Sequence, residues 1–244
     1  MFPYADWEDQ YWSGYFTSRA NSKSQVRMGQ HNLMASNKLN AGKVLDQKAT
    51  DREIKDILDA KDTMFDSMGS YQHHDAITGT AKQYVADDYS FLLSKSMAQS
   101  NQVFEKSISD FTEKFAGIQS DDWALCTVTN STYTDCPIAA GTDEFAVTSY
   151  NPAAVTVDIQ TFKVPPSPTN AYDVSVFDYS SSSWVEAESD LLCYTFLENN
   201  MEQSSYKDCN LHVKSEAQPH HMTFMKLKAA DEAPEEAQSE ETNG

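Results

Sequence analysis

The sequence predicts an α+β protein with more than one domain, in which a three-helix bundle precedes an incomplete, antiparallel β-sandwich-like region. Two observations predict this fold class. Apolar residues recur at helical spacing, with only short breaks, from about residue 21 to residue 118. From residue 119 to residue 228 the composition shifts to Thr, Val, Tyr, Pro and Ser, and short segments alternate between apolar and polar residues. Long helices with short connections favour an up-down-up bundle, whereas alternating strands favour a sandwich.

Three periodic runs define the predicted helices. The first covers residues 21 to about 48, without a proline to interrupt it. Thr50 then has the character of an N-cap, since an acidic first turn that includes Glu53 follows it. The second helix carries an amphipathic stripe formed by Ile54, Ile57, Leu58, Met64, Phe65 and Met68. A third run extends from residue 81 to about residue 115.

The break between the second and third helices contains His73, His74 and Asp75, followed by Thr-Gly-Thr. Imidazole and carboxylate are ligands that zinc prefers, and both serve in acid–base chemistry. If this segment is helical, neighbouring side chains diverge by about 100°, so at most one histidine reaches a metal and Asp75 points elsewhere. Because a zinc site takes three or four protein ligands, the segment would form only one wall of it. The alternative is a helix N-terminus capped by Thr78 or Thr80, with the histidines and Asp75 satisfied locally.

Five segments after residue 118 are predicted strands. They cover residues 144–150, 154–159, 172–177, 192–196 and 211–214. Turns at residues 151–152 and 165–168, both containing proline, separate some of them. An immunoglobulin-like sandwich has about seven strands, so this count predicts that the second domain is incomplete.

Charge and hydropathy exclude two classes of partner. The chain has 18 basic and 37 acidic residues, a formal net charge of −19, which would repel nucleic acid. No apolar run approaches the roughly 20 residues that cross a bilayer, so we expect no membrane span.

The N-terminus has no basic region followed by an apolar one, so no signal peptide is visible. Residues 229–244 contain six acids and no base, and we expect this tail to be disordered.

The four cysteines form two local pairs. Cys126 and Cys136 bracket one short loop, which favours a disulfide over a metal cage. Cys193 and Cys209 bracket another loop, with the same implication, and Asn130 is an N-glycosylation acceptor in Asn-Ser-Thr. Disulfides and a glycan belong to the secretory environment, so a chain without a visible export signal is expected to be a piece of a longer protein. A cytosolic protein with four free thiols is the alternative.

The first sixteen residues are rich in aromatic side chains interleaved with carboxylates. The aromatic residues are Phe2, Tyr4, Trp7, Tyr11, Trp12, Tyr15 and Phe16. Aromatic rings stack on the apolar faces of sugars and carboxylates bind sugar hydroxyls, so the segment suits a sugar site or a cleft shared with another domain. Packing of these rings on the helices is the alternative.

Four separated motifs resemble one enzyme family. They are FPYADWEDQYWSGYFTSR at residues 2–19, QHHDAITGTAKQYVADDYSFLLS at residues 72–94, LCTVTNSTYTDCP at residues 125–137 and VTSYNP at residues 147–152. In sequence and in order they closely resemble the class II α-mannosidases, glycoside hydrolase family 38, of the lysosomal type. The resemblance covers roughly residues 2 to 152 and fades toward the C-terminus.

The resemblance implies a domain organisation. In that family an N-terminal α/β domain precedes a three-helix middle domain and a large β-rich region. Residues 1–20 would then be the C-terminal edge of a missing α/β catalytic domain, and residues 21–118 the middle domain. Residues 119–228 would be the start of the β-rich region, with residues 229–244 as an acidic tail. The implied parent enzyme is lysosomal, vacuolar or secreted and acts on mannose-containing oligosaccharides.

The resemblance also assigns roles to three residues. The second histidine of the family's His-His-Asp motif is a zinc ligand and falls on His74, and the acid that binds mannose hydroxyls falls on Asp75. The tryptophan that forms an aromatic wall of the family's sugar pocket falls on Trp12. The other zinc ligands, the nucleophile and the acid/base carboxylate lie in the family's N-terminal domain, so we expect no catalytic carboxylate in this chain.

The reaction that the resemblance implies is zinc-dependent, retaining hydrolysis of terminal α-mannosyl residues of N-glycans. Since the catalytic carboxylates are expected in the missing domain, the chain alone is predicted to be inactive. The alternative hypothesis is a noncatalytic relic module that binds glycans or another protein through the exposed aromatic residues of segment 2–16.

Overall fold

The structure is a computed structural model that describes residues 4–46, 49–120, 122–126, 136, 138–197 and 205–232. The chain divides into two compact units, residues 1–107 and residues 108–244. Three α-helices are followed by antiparallel strands in two sheets, which confirms the predicted α+β class. The helices are α1 (Ala20–Leu45), α2 (Asp51–Tyr71) and α3 (Gln83–Ala116), and a 3₁₀ turn at Ser13–Phe16 precedes them. No helix in these described ranges is long and apolar enough to cross a membrane.

Helix α2 begins where the sequence predicts, because a capping box fixes its first turn. The Thr50 hydroxyl accepts a hydrogen bond from the Glu53 N–H at 3.2 Å, and the Thr50 N–H donates to the Glu53 carboxylate at 2.8 Å. Lys43 of α1 binds the same carboxylate, with Nζ 3.0 Å from Oε1. The hydrogen bond from the Thr50 backbone, followed by those from Lys43 and the Thr50 hydroxyl, lowers the pKa of Glu53 to about 2. The capping box therefore ties the start of α2 to the last turns of α1.

The Glu53→Gln variant is expected to lower the free energy of unfolding by about 1 kcal/mol near neutral pH, because it removes the charge from the capping box. The pKa of Glu53 is lower in the folded state than in the unfolded chain. Its contribution is therefore present above pH 4.5 and is lost as the pH falls through about 2. Urea unfolding followed by circular dichroism should show the difference between variant and wild type shrinking over that interval.

The matched control for this variant is Asp66→Asn, at an exposed position of the same helix. It should change the free energy of unfolding by less than about 0.5 kcal/mol at every pH. A stability difference between Glu53→Gln and wild type that persists undiminished at the acid end of the range would contradict the assigned role of this carboxylate.

The core of the first unit is formed by apolar side chains from all three helices and from the connection after α2. Its buried members are Val26, Met64, Met68, Tyr71, Ala76 and Leu93. Gly29 lets α1 approach this core closely, since a Cβ at that position would lie 2.9 Å from Met68 Sδ. Leu58 and Phe65, which the sequence assigns to the apolar stripe of α2, are each 48% exposed. The stripe that contacts the core is thus narrower than the periodicity predicts.

Hydrogen bonds between buried side chains also join α1 to α3. The Ser100 hydroxyl donates to the Ser36 hydroxyl at 3.1 Å, and the Ser107 hydroxyl donates to Asn40 Oδ1 at 2.7 Å. All four side chains are buried. Sequence alone does not predict this polar contact, because a polar helix position has the pattern of a solvent face until its partner is known.

The second unit contains seven strands within its described residues. They are β1 (Glu144–Tyr150), β2 (Val157–Val164), β3 (Tyr172–Asp178), β4 (Ser183–Ala187), β5 (Ser189–Leu197), β6 (Ser205–Ala217) and β7 (Met222–Ala229). One sheet has the order β1-β7-β3-β4 and the other has the order β2-β6-β5, with every pair antiparallel. Buried side chains from both sheets form its core: Val164, Tyr172, Val174, Cys209, Leu211, Val213, Met225 and Leu227.

The prediction of five strands is wrong, because it omits β4 and β7. Strand β4 is only five residues long and follows a run of serines, so its alternation is short. Strand β7 has the sequence MTFMKLKA, in which methionine and lysine weaken the β pattern. It nevertheless lies inside the four-stranded sheet, paired with β1 on one side and β3 on the other. Its backbone partners, rather than its composition, make it a strand.

Both predicted disulfides are present. Cys193 on β5 and Cys209 on β6 face each other across the strand pair and are bonded. Cys126 and Cys136 are also bonded, after the end of α3. Asn130, the predicted glycosylation site, lies outside the described residues, as does the acidic tail from residue 233 onward.

Candidate functional site

The histidine turn, defined here as residues 73–80, connects α2 to α3. Helix α2 ends at Tyr71, whose side chain is buried, and the backbone then folds into successive turns. The N–H of Ala76 donates to the carbonyl of His73 at 2.9 Å, and the N–H of Gly79 donates to the carbonyl of Ala76 at 3.0 Å. The buried Tyr71 and Ala76 thus anchor a turn whose polar side chains lie at the surface.

Three side chains of this turn converge. Nε2 of His73 lies 3.4 Å from Oδ2 of Asp75, and Nε2 of His74 lies 3.5 Å from the same oxygen. One ligand atom from each residue can be chosen so that all three lie within 4.8 Å of one another. The two imidazoles are expected to diverge only if this segment is helical, and that condition is not met, because α2 ends at Tyr71 and the segment turns instead of continuing as a helix.

The donor types, and the distance of each imidazole from the Asp75 carboxylate, are compatible with a zinc ion. Two imidazole nitrogens and a carboxylate oxygen are ligands that zinc accepts. With metal–ligand bonds of about 2.0–2.1 Å, two ligand atoms of a tetrahedral ion lie about 3.3 Å apart. Each imidazole is at about this distance from the carboxylate of Asp75. The ring centroids of His73 and His74 are 4.4 Å apart, so both rings lie on the same side of the turn.

The converging side chains are accessible from outside the bundle. The side chain of His74 is 82% exposed, that of Asp75 50% and that of His73 45%. A metal, a sugar or another protein domain can therefore reach these groups without opening the helical core. The proposed role of His74 depends on this exposure, because an imidazole sealed inside the bundle could not meet ligands from another domain.

Thr78 and Thr80 support the turn from within it. The Thr80 hydroxyl donates to Oδ1 of Asp75 at 3.0 Å, and the Thr78 hydroxyl donates to the carbonyl of His74. The hydrogen bond from Thr80, together with the nearby imidazoles of His74 and His73, lowers the pKa of the Asp75 carboxyl. Asp75 therefore stays ionised at a pH where an ordinary aspartate begins to protonate. Both hydroxyls therefore bond to other residues of the turn. The alternative prediction instead has Thr78 or Thr80 cap a helix N-terminus.

Three residues near the start of α1 contact the same turn, and the sequence does not predict them. Ser18 Oγ and Arg19 Nη1 both donate to the carbonyl of Gly79, at 2.9 and 2.5 Å. Lys23 Nζ donates to the carbonyl of Ile77 at 2.7 Å. Between 54 and 61 residues separate the partners, so no local pattern reveals the contacts. The one signal in the sequence is the glycine itself, which adopts φ +76° at position 79.

Trp12 lies in a short N-terminal hairpin that is closed by a bridge between Ala5 and Tyr11. Its indole N–H donates to the Asp6 carboxylate at 2.8 Å, and its ring meets that of Tyr4 edge to face, with centroids 5.1 Å apart. The exposed aromatic side chains of this segment are Tyr4, Trp7, Tyr11, Trp12 and Phe16. Within the described residues, no hydrogen bond or ring contact joins Trp12 to the histidine turn. The structure therefore brings His74 and Asp75 together and leaves Trp12 as a separate exposed group.

Comparisons with known proteins agree on one family. The family model of the alpha mannosidase middle domain matches residues 10–111. The lysosomal alpha-mannosidase of Felis catus is 34% identical over 158 residues, which are 65% of this chain and 15% of that protein. A probable alpha-mannosidase of Arabidopsis thaliana is 33% identical over 199 residues, which are 80% of this chain and 18% of that protein. The lysosomal alpha-mannosidase of Homo sapiens is 29% identical over 192 residues, 75% of this chain and 18% of that protein.

A solved structure was also found by similarity of fold. It is that of a protein in the glycosyl hydrolase family 38 from Enterococcus faecalis, which aligns with 91% of this chain and 26% of that chain. The TM-score is 0.46 and the sequence identity is 12%.

The family model covers α1, α2, the histidine turn and most of α3. The chain spans less than one fifth of the length of the curated relatives described above, at 15% of the cat protein and 18% of the plant and human proteins. Through this middle domain, the chain belongs to the α-mannosidases of glycoside hydrolase family 38.

Proposed function

We propose that this chain contributes one zinc ligand, His74, and one substrate contact, Asp75, to a zinc-dependent, retaining α-mannosidase. The enzyme would remove terminal α-mannosyl residues from N-glycans, with Trp12 as an aromatic wall of the sugar pocket. One observation carries the proposal. The imidazole of His74 and the carboxylate of Asp75 converge on the surface, inside the region that the α-mannosidase middle-domain model matches.

The two residues have different parts in the proposed reaction. His74 offers an exposed imidazole, and a single protein ligand is compatible with a metal shared between two domains, since zinc takes three or four protein ligands. Zinc, when bound, would supply coordination of sugar hydroxyls and so orient the ring. The ionised carboxylate of Asp75 accepts hydrogen bonds from mannose hydroxyls. Neither residue forms or breaks the glycosidic bond.

Hydrolysis by this route requires carboxylates that we assign to another domain. A retaining glycosidase uses a nucleophile and an acid/base carboxylate about 5–5.5 Å apart on either side of the bond that is cleaved. We propose that both of them, with the other zinc ligands, belong to an N-terminal catalytic domain, as the family resemblance implies. We therefore propose that the chain requires that domain as its partner and is inactive alone. Zinc-dependent release of an aryl alcohol from an aryl α-mannoside by the purified 244-residue chain would overturn this part of the proposal.

The names of the relatives suggest a compartment for the parent enzyme. The cat and human relatives are named as lysosomal proteins. On these grounds we assign the parent enzyme to a lysosome or vacuole.

The His74→Ala variant tests the metal assignment. Addition of Zn²⁺ to the full chain should shift the imidazole NMR signals of His74, and EDTA should reverse the shift. In the chain alone, without the ligands of the other domain, Zn²⁺ would be held weakly by His74 with the neighbouring His73 and Asp75. The variant is therefore expected to bind zinc at least about tenfold more weakly, a loss as large as that caused by changes in the outer partners of a metal site. His31→Ala, at an exposed position of α1, is the matched control and should leave the zinc affinity unchanged. Equal zinc binding by wild type and His74→Ala would refute His74 as the ligand.

The exposed aromatic hairpin favours a second candidate function, a noncatalytic module that binds glycans or another protein. Tyr4, Trp7 and Trp12 are all more than half exposed, and Trp12 is held beside the carboxylate of Asp6. This alternative predicts that mannosides quench the tryptophan fluorescence of the chain in the presence of EDTA. A fluorescence response to mannosides that requires zinc would instead support the metal site.

A further inference from the structure

The histidine turn is held by donors from the start of α1. Ser18 and Arg19 both donate to the carbonyl of Gly79, at 2.9 and 2.5 Å, and Lys23 donates to the carbonyl of Ile77 at 2.7 Å. Both acceptors lie in the second half of the turn, whereas the converging side chains lie in its first half. Hydrogen bonds from charged donors are the strong class in proteins. Two of the three donors are cations.

Backbone hydrogen bonds connect the second half of the turn, which accepts these donors, to Asp75 in its first half. The carbonyl of Asp75 accepts hydrogen bonds from the N–H groups of Thr80 and Ala81, at 3.2 and 3.0 Å. The N–H of Gly79 donates to the carbonyl of Ala76 at 3.0 Å. The two halves of the turn are therefore closed on each other by backbone bonds. Fixing the carbonyls of Ile77 and Gly79 fixes the backbone from which the carboxylate of Asp75 projects.

Arg19 and Lys23 are both constrained where they contact the turn, Arg19 by its backbone conformation and Lys23 by partial burial. Arg19 has φ +49° and ψ 59°, a left-handed conformation that a residue with a Cβ rarely adopts. This conformation directs its guanidinium to Gly79 and, more weakly, to the Gln83 side chain at 3.3 Å. Lys23 is partly buried, and that burial lowers the pKa of its ammonium group. Neither cation makes an ion pair with Asp75 within the described residues, so both act through the backbone.

We infer that Arg19 and Lys23 are positioning residues for the site of His74 and Asp75. They anchor the histidine turn through the carbonyls of Gly79 and Ile77, and so hold the backbone that presents the His74 imidazole to metal and the Asp75 carboxylate to sugar. This inference rests on the proposed function, because that function is what assigns a metal and a sugar to the turn. The anchoring itself does not depend on that function.

The Arg19→Gln and Lys23→Met variants of the full chain test the anchoring by amide hydrogen exchange. Each variant is expected to accelerate exchange at the N–H groups of Ala76 and Gly79 by about tenfold or more, since it removes a charged donor from the turn. Exchange at Leu93, in the bundle core, should stay at the wild-type rate. Arg27→Gln, at an exposed position of α1, is the matched control and should change none of these rates.

Zinc binding gives a second readout, which a purely structural contact would not change. In a titration monitored by the imidazole NMR signals of His74, Arg19→Gln should need at least about threefold more Zn²⁺ than wild type to reach half saturation. Arg19→Lys keeps a cationic donor and should restore most of the affinity and of the amide protection. Lys23→Met tests the same inference through a different carbonyl, should Arg19→Gln fail to fold.

The possible results separate the inference from the proposed function. Unchanged exchange at Ala76 and Gly79 in both variants would overturn the anchoring. Acceleration at Leu93 equal to that at Gly79 would also overturn it, because the contacts would then stabilise the bundle as a whole. If wild type itself gives no His74 response to Zn²⁺, the proposed function fails, and the exchange rates still decide whether the turn is anchored.

Discussion

The Gly79→Ala variant is expected to displace the histidine turn and to lower the free energy of unfolding by about 2–4 kcal/mol. Gly79 has φ +76°, a backbone conformation that costs a residue with a Cβ about 1–2 kcal/mol. A Cβ at this position would lie 2.6 Å from the carbonyl oxygen of Ser18 and 2.9 Å from its carbonyl carbon. Those atoms belong to the backbone and cannot rotate away, so either the turn or the start of α1 must shift.

This displacement should be visible at the site as well as in stability. The carbonyl of Gly79 accepts hydrogen bonds from Ser18 and Arg19, and both bonds should weaken when the turn shifts. Urea unfolding followed by circular dichroism gives the stability change, and the imidazole signals of His74 report the loss of the native turn. We expect the zinc affinity of His74 to fall together with the stability.

The chain offers a matched control for this variant in Gly69→Ala on α2. A Cβ at position 69 has no heavy atom within 4 Å, and the position does not have a positive φ. Alanine in a helix is favoured over glycine by about 0.5–1 kcal/mol, so the control should be neutral or stabilising. If Gly79→Ala unfolds at the wild-type urea concentration and keeps the wild-type His74 signals, the anchored geometry of the turn is wrong.

The Leu93→Ala variant is expected to destabilise the helical unit by about 2–5 kcal/mol. Leu93 is fully buried, and it belongs to the core cluster that includes Val26 of α1 and Met64 of α2. Gly29 of α1 approaches it so closely that a Cβ there would lie 3.1 Å from Leu93 Cδ1. Removing the side chain therefore leaves a cavity at the point where the helices meet, and the lost packing adds to the lost burial.

Chemical denaturation monitored by the helical circular dichroism signal measures this effect, because the helices lie in the first part of the chain. Leu58→Ala is the control, since Leu58 has the same side chain on α2 but is 48% exposed. It should cost less than about 1 kcal/mol, in proportion to the smaller area removed from water. Equal destabilisation by the two variants would show that the bundle does not pack around Leu93 as described.

The features that the sequence predicts correctly are those that depend on neighbouring residues. The start of α2 follows from Thr50 and Glu53, whose capping contacts span only three positions. Strand β1 occupies the predicted residues 144–150, since its alternation and its bounding turns are local signals. The disulfide between Cys193 and Cys209 could be predicted because the partners bracket one short connection. Each of these signals is complete within about twenty residues of sequence.

The errors occur where distant partners decide the structure. Strand β7 has a weak β pattern of its own, yet β1 and β3 pair with it from both sides. Leu58 and Phe65 follow the apolar period of α2 but remain half exposed, because no neighbouring element of the described chain covers them fully. His73 and His74 converge on one carboxylate because α2 ends at Tyr71, whereas a helical continuation would separate them.

By itself, the sequence determined the α+β class, the order of helices before strands, the cysteine pairs and the residue types of the candidate site. Those properties follow from composition, short-range periodicity and motif order. Only the tertiary structure decided that His74 is exposed beside Asp75 and that Arg19 and Lys23 anchor the turn which carries them. The physical reason is that burial and long-range hydrogen bonds depend on which segments meet after folding, and partners more than fifty residues apart leave no periodic trace in the chain.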